Sequence, residues 1–155
     1  MPKCSVCGIL TMNNSVVCWY CENDDMEHKK PIDTTFVPKI VAIDFDGTLC
    51  VDRFPDIGEP NPMMLELVRH LNEEGHKVIL WTCRVNDRLR EAVEWCMQRG
   101  VAFDAVNDNI AANVEQYGTN PRKVYADLYI DDKSINHVDN LMDIYRVKNK
   151  LRRMK

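Results

Sequence analysis

The sequence predicts an α/β fold: a Rossmann-like parallel sheet flanked by helices, with a small cysteine-rich module at the N-terminus. Two observations carry this. From Lys39 onward, short apolar runs rich in β-branched residues alternate with longer runs whose apolar residues recur at helical spacing. Such alternation defines βαβ units, which build parallel sheets through right-handed crossovers. Upstream, two CxxC pairs occupy residues 4–21, a stretch too short for a core of its own. The expected division is a module over 1–22, a polar linker over 23–38 containing Pro31 and Pro38, and an α/β domain over 39–155.

The elements follow in order. "KIVAIDF" is a nearly continuous apolar run, which suits a strand buried on both faces. "NPMMLELVRHLNEEG" places Met63, Leu67, Val68 and Leu71 on one helical face, with Asn61 as N-cap, Pro62 in the first turn and Gly75 as the stop. "KVILWT" is a second buried strand. "NDRLREAVEWCMQRG" is a helix opened by Asn and Asp and closed by Gly100. "FDAVN" and "ADLYID" read as a third and a fourth strand, and the tail from about His137 as a last helix.

The chain has 155 residues, 45% of them apolar and 28% charged, as in ordinary globular domains. No apolar run reaches the roughly 20 residues that span a bilayer. "MPKCSVCG" lacks the apolar stretch of an export signal, so a cytoplasmic location, a phage-infected or bacterial cell included, is expected. A net charge of -4 argues against whole-surface attraction to nucleic acid. The last ten residues, "RVKNKLRRMK", hold six cations and no acid. They read as a solvated helix end suited to the helix dipole, or as a phosphate-binding tail.

Three of the expected strands end in reactive residues: Asp44 and Asp46, then Thr82, then Asp131 and Asp132. In open parallel sheets, sites form at the carboxyl ends of strands, near the point where strand order reverses. Four carboxylates gathered there repel each other unless a cation neutralises them. Oxygen-only ligands select a hard cation, and Mg²⁺ is the expected one. Residues i and i+2 at a strand end point to the same side, so Asp44 can attack an electrophile while Asp46 handles protons. Gly47 lets the backbone turn sharply. Thr82 and a lysine would meet a transferring phosphoryl group. Asp104, Asp108 and Asp127 read as turn, cap or surface residues; Asn107 and Asn109 lie near enough to touch substrate, though turn chemistry also explains them.

This constellation resembles the haloacid-dehalogenase-like superfamily of phosphohydrolases. Its DxDGT motif is matched by Asp44, Asp46, Gly47 and Thr48, its Thr-ended strand by "VILWT" at Thr82, and its acid-ended strand by "LYIDD" at Asp131 and Asp132. The resemblance covers residues from about 39 to 147. It implies a phosphatase in which Asp44 forms an aspartyl-phosphate and Asp46 acts as general acid and then base. It also implies Mg²⁺ held by Asp44, Asp131, Asp132 and the Asp46 carbonyl. The family's lysine maps to Lys123, with Lys133 as rival. Gly47, Thr48, Cys83 and Arg84 are the expected substrate contacts, Arg84 alternatively forming a surface salt bridge.

Members of that superfamily often insert a cap domain. Here "CVDRFPDIGEPN" is only a loop, and Thr82 to Lys123 leaves room for a helix, a strand and turns. The core therefore reads as capless, similar to short phage and bacterial members. An open site suits a protein or nucleic-acid end; a small phosphate ester needs closure from elsewhere, such as a second subunit in a homo-oligomer.

Cys4, Cys7, Cys18 and Cys21 form CxxC–x10–CxxC, with "ILTMNNSVV" between them reading as strand, turn and strand. Four thiolates suit tetrahedral Zn²⁺ in a zinc ribbon that the metal folds. Disulfides, redox thiols and iron are the alternatives. The ribbon can stabilise the chain, contact protein, or bind nucleic acid through Trp19 and Tyr20. Together with the basic tail it supports an alternative reading as a binding module, or as a nucleic-acid end phosphatase. Cys50, Cys83 and Cys96 read as buried small apolar residues, although Cys83 adjoins Thr82.

Overall fold

The computed structural model describes residues 36–134, 138 and 140–154. The expected cysteine module, the zinc expected in it and most of the expected linker lie outside them. Strands and helices alternate: β1 (Ile40–Ile43), α1 (Pro62–Glu73), β2 (Lys77–Leu80), α2 (Asn86–Met97), β3 (Ala105–Val106), α3 (Ala111–Tyr117), β4 (Leu128–Ile130) and α4 (Leu141–Arg153). The strands form one parallel sheet in the order β3-β2-β1-β4. The expected α/β class, a Rossmann-like parallel sheet with flanking helices, is the class observed. Among the described residues no helix is long and apolar enough to cross a membrane.

All four residues of β1 are buried, because neighbouring strands flank it and side chains cover both faces. Alternation divides them. Val41 and Ile43 join Phe45, Leu80 and Ile130 in the main core, packed against Leu67 and Leu71 of α1 and Ile144, Val147 and Leu151 of α4. Ile40 and Ala42 join a smaller cluster with Ile79 and Val124. Helix α3 adds no buried residue, so among the described residues the second face of the sheet carries only this smaller cluster.

Sequence signals account for most ends. The Asn61 side chain accepts from Met64 N (3.3 Å) and Pro62 opens α1. Gly75, just past its end, takes a φ of +82° that disfavours other residues. Asp104 and Asp127 act as turn residues: their carboxylates accept from Val78 N (2.9 Å) and Ile40 N (2.8 Å), closing strand amides.

Other expectations are corrected. Helix α2 does open on Asn86 and Asp87 as expected, but Val85 is its N-cap, no side chain caps it, and Asn86 itself has φ 52°. Helix α3 was not anticipated, because its seven residues bury nothing and so carry no apolar stripe. Helix α4 starts at Leu141, where Asn140 accepts from Met142 N (2.8 Å). Its basic end is solvated as expected: Lys150, Arg152 and Arg153 of the last turn are exposed, while Lys148 one turn earlier is buried. There they complement the helix dipole. Cys50 and Cys96 are buried as expected, but Cys83 is exposed, because it lies on the loop beyond β2 and not in it.

Candidate active site

Strand order reverses beside β1, where β2 and β3 lie to one side and β4 to the other. A crevice is expected at the carboxyl ends of β1 and β4, and the acids are there. Ile43 pairs with Ile130, so Asp44 and Asp131 are the next residues on adjacent strands, and Asp44 N donates to Ile130 O (2.9 Å). One carboxylate oxygen from each of Asp44, Asp131 and Asp132 lies within 4.8 Å of the others.

Clustering has an electrostatic consequence. The Asp44 carboxyl is pushed up from 3.8 to about 7, first by burial and then by the charges of Asp131, Asp132 and Asp46, against the Phe45 amide that favours its ionised form. Three half-buried acids sharing oxygen donors are a set that a hard divalent cation would satisfy.

The loop after β1 is shaped for this approach. Gly47 has φ 79°, and a Cβ there would run into the Asp132 carboxylate. Thr48 is buried, with Oγ1 accepting from Asp132 N (3.1 Å) and its carbonyl accepting from Asn61 Nδ2 (3.1 Å). Thr48, expected as a substrate contact, thus binds the backbone just past β4.

Asp46 departs from the same-side argument. The strand ends at Ile43, so alternation no longer governs, and the Asp46 carboxylate lies outside the acid cluster. Both its oxygens accept from Arg84, Oδ2 from Nε (2.8 Å) and Oδ1 from Nη2 (2.7 Å). Arg84 is only 1% exposed and also donates to the carbonyls of Pro55 (3.1 Å) and Asp56 (2.7 Å). Its guanidinium lies 5.0 Å from the Phe45 ring centre and 5.3 Å from that of Phe54. Arg84 is thus neither a surface ion pair nor a group turned to the crevice: it binds Asp46 and the loop beside it.

Thr82 Oγ1 accepts from Arg84 N (3.2 Å). Asn107, with φ 49°, accepts from Thr82 N (2.8 Å) and donates to Arg84 O (3.2 Å), so it braces the loop after β2. Cys83 is exposed on that loop. Buried Asn109 accepts from Tyr125 N (2.7 Å) and donates to Asn120 and Pro121, a purely local network.

The two candidate lysines separate. Lys133 Nζ reaches Asp132 at 3.1 and 3.2 Å. Lys123 Nζ instead lies 5.6 Å from the centre of the Tyr129 ring.

Sequence reading missed Trp81 and Tyr129, which line the crevice with Asp44, Asp131 and Lys133. Both sit in apolar runs read as buried strand; only their place at the carboxyl edge distinguishes them.

The fold and site define an α/β chain with an acid cluster at the switch point of a parallel sheet. No family model and no curated protein matches it. Among solved structures, a conserved protein from Bacteroides thetaiotaomicron is similar, with a TM-score of 0.65 and 38% identity over 74% of this chain and 93% of that one. The chain belongs to the same family as that conserved protein.

Proposed function

We propose that the chain is an Mg²⁺-dependent phosphoric monoester hydrolase of the haloacid-dehalogenase-like superfamily, acting through an aspartyl-phosphate on Asp44. The observation that carries this is the approach of Asp44, Asp131 and Asp132 to within 4.8 Å at adjacent strand ends. Those three carboxylates would hold Mg²⁺, whose charge would offset the negative charge of the transferring phosphoryl group.

The residues then divide the work. A free oxygen of Asp44 attacks phosphorus, a new O–P bond forms, and the ester P–O bond breaks. For Asp46 to give a proton to the leaving oxygen, its two-point pair with Arg84 must open, since both its oxygens accept from that guanidinium. Water next attacks the phosphorus and returns a proton to Asp46; the Asp44–phosphorus bond breaks and inorganic phosphate leaves. Between turnovers Arg84 holds the Asp46 carboxylate in one orientation. Lys133 and Thr82 contribute positive charge and a hydroxyl at the rim.

The test is turnover of a phosphate-ester panel by the full chain in Mg²⁺. We expect hydrolysis that falls by roughly 10⁴-fold or more in Asp44→Asn. Absence of turnover on aryl, sugar, nucleotide and oligonucleotide phosphates alike would sink this reading.

A further inference from the structure

The acid cluster opens onto an apolar notch. Ala42, Trp81 and Tyr129 belong to the small cluster on the second face of the sheet. With Asp44, Asp131 and Lys133 they line one crevice of about 260 Å³. The register explains the shape. Ala42 pairs with Tyr129 on β4, and Trp81 N bonds to Ile43 O across from β2. On β2 the partner of Ala42 is Ile79, and Trp81, two residues on, is level with Asp44, so the two rings lie diagonally across the central strand. Strands stand about 4.8 Å apart and rise about 3.3 Å per residue, so the rings are separated by two strand spacings across the sheet and by two residues along it, at opposite corners of the crevice.

One wall is held in place. Tyr129 Oη donates to Val124 O (2.6 Å) and accepts from Ala126 N (3.3 Å). Exposed Lys123 lies against that ring and Lys133 against Asp132, so cations stand near both the aromatic wall and the acids.

We propose that this crevice is a subsite for a planar aromatic group attached to the phosphate. For the phosphate itself the assignment rests on the phosphatase reading. The notch offers Ala42 and two aromatic rings where an organic group would lie, and it is continuous with the carboxylates. Stacking between ring faces rewards flatness and tolerates different rings.

The test compares wild-type kcat/KM in Mg²⁺ for phenyl phosphate, nucleoside 5′-monophosphates and glycerol 3-phosphate. We expect the aromatic esters to lead by about 5- to 150-fold, the range that one stacked base contributes. Preference for phenyl phosphate over nucleotides identifies an aryl substrate; the reverse identifies a nucleobase. Trp81→Leu should move the aromatic-to-glycerol ratio towards one by raising KM for the aromatic ester. Equal wild-type rates on all three classes overturn the subsite, whether or not the variant folds, and leave the phosphatase reading intact. Calorimetric titration of Asp44→Asn with phenyl phosphate and glycerol 3-phosphate separates the remaining case. Aromatic-selective binding without wild-type turnover upholds the subsite and removes the phosphatase reading.

Discussion

Arg84 and Asp46, 38 residues apart in the chain, form a two-point ion pair with Arg84 buried at 1% exposure. The same guanidinium ties down the Pro55 and Asp56 carbonyls, so one side chain joins the loop after β2, the loop after β1 and Asp46. Removing one partner of a buried pair strands the other. We expect Arg84→Met to cost about 3 kcal/mol in chemical denaturation. Arg84→Lys keeps the charge but loses the fork; it should fold, and should lower kcat much more than it raises KM. A rise in KM alone would instead mark Arg84 as a substrate contact.

Metal and pH should be coupled at Asp44. Its carboxyl titrates near 7 in the folded chain and near 3.8 unfolded. Between those values the folded state holds the extra proton, so this group's contribution to the stability of the metal-free protein declines as pH rises from about 4 to 7. A cation competes with that proton. Mg²⁺ should therefore raise the melting temperature more at pH 8 than at pH 5.5, approaching about 2.7 kcal/mol of stabilisation at one hundred times Kd. Equal shifts at both pH values would count against Asp44 as a ligand.

Gly47→Ala meets two obstacles, a φ of 79° and the Asp132 carboxylate. We expect a stability loss of at least about 1 kcal/mol, with weaker Mg²⁺ binding by calorimetry because Asp132 must shift. Unchanged Mg²⁺ affinity would remove Asp132 from the cation site.

The lysines can be ranked by substitution. Lys133 contacts the acid cluster, whereas Lys123 rests on Tyr129. Lys133→Met should lower kcat/KM by about 10²-fold, as loss of one oxyanion donor does, and Lys123→Met should cost less. The opposite order would return the phosphoryl contact to Lys123.

Much of this was legible along the chain. "IVAIDFDGT" announces a buried strand that ends in acids, and "LYIDD" announces another. Parallel pairing through Ile43 and Ile130 was enough to bring those ends together. Less legible was anything set by partner choice. Asp46 sits two residues from Asp44, yet its carboxylate turns to Arg84 because the strand has already ended. Thr48 matches a motif position but serves the backbone of Asp132. Helix α3 escaped notice because it buries no residue.

By itself, then, the sequence determined the alternation of strands and helices, and which strands carry carboxylates at their ends. Those are local properties, written in apolar period and turn chemistry. Only the tertiary structure decided that Arg84 belongs to Asp46, that Lys133 and not Lys123 meets the acids, and that Trp81 and Tyr129 line one crevice with Ala42. Each depends on register between strands or on loops meeting across the sheet, where a shift of one residue would exchange the side chains facing the crevice.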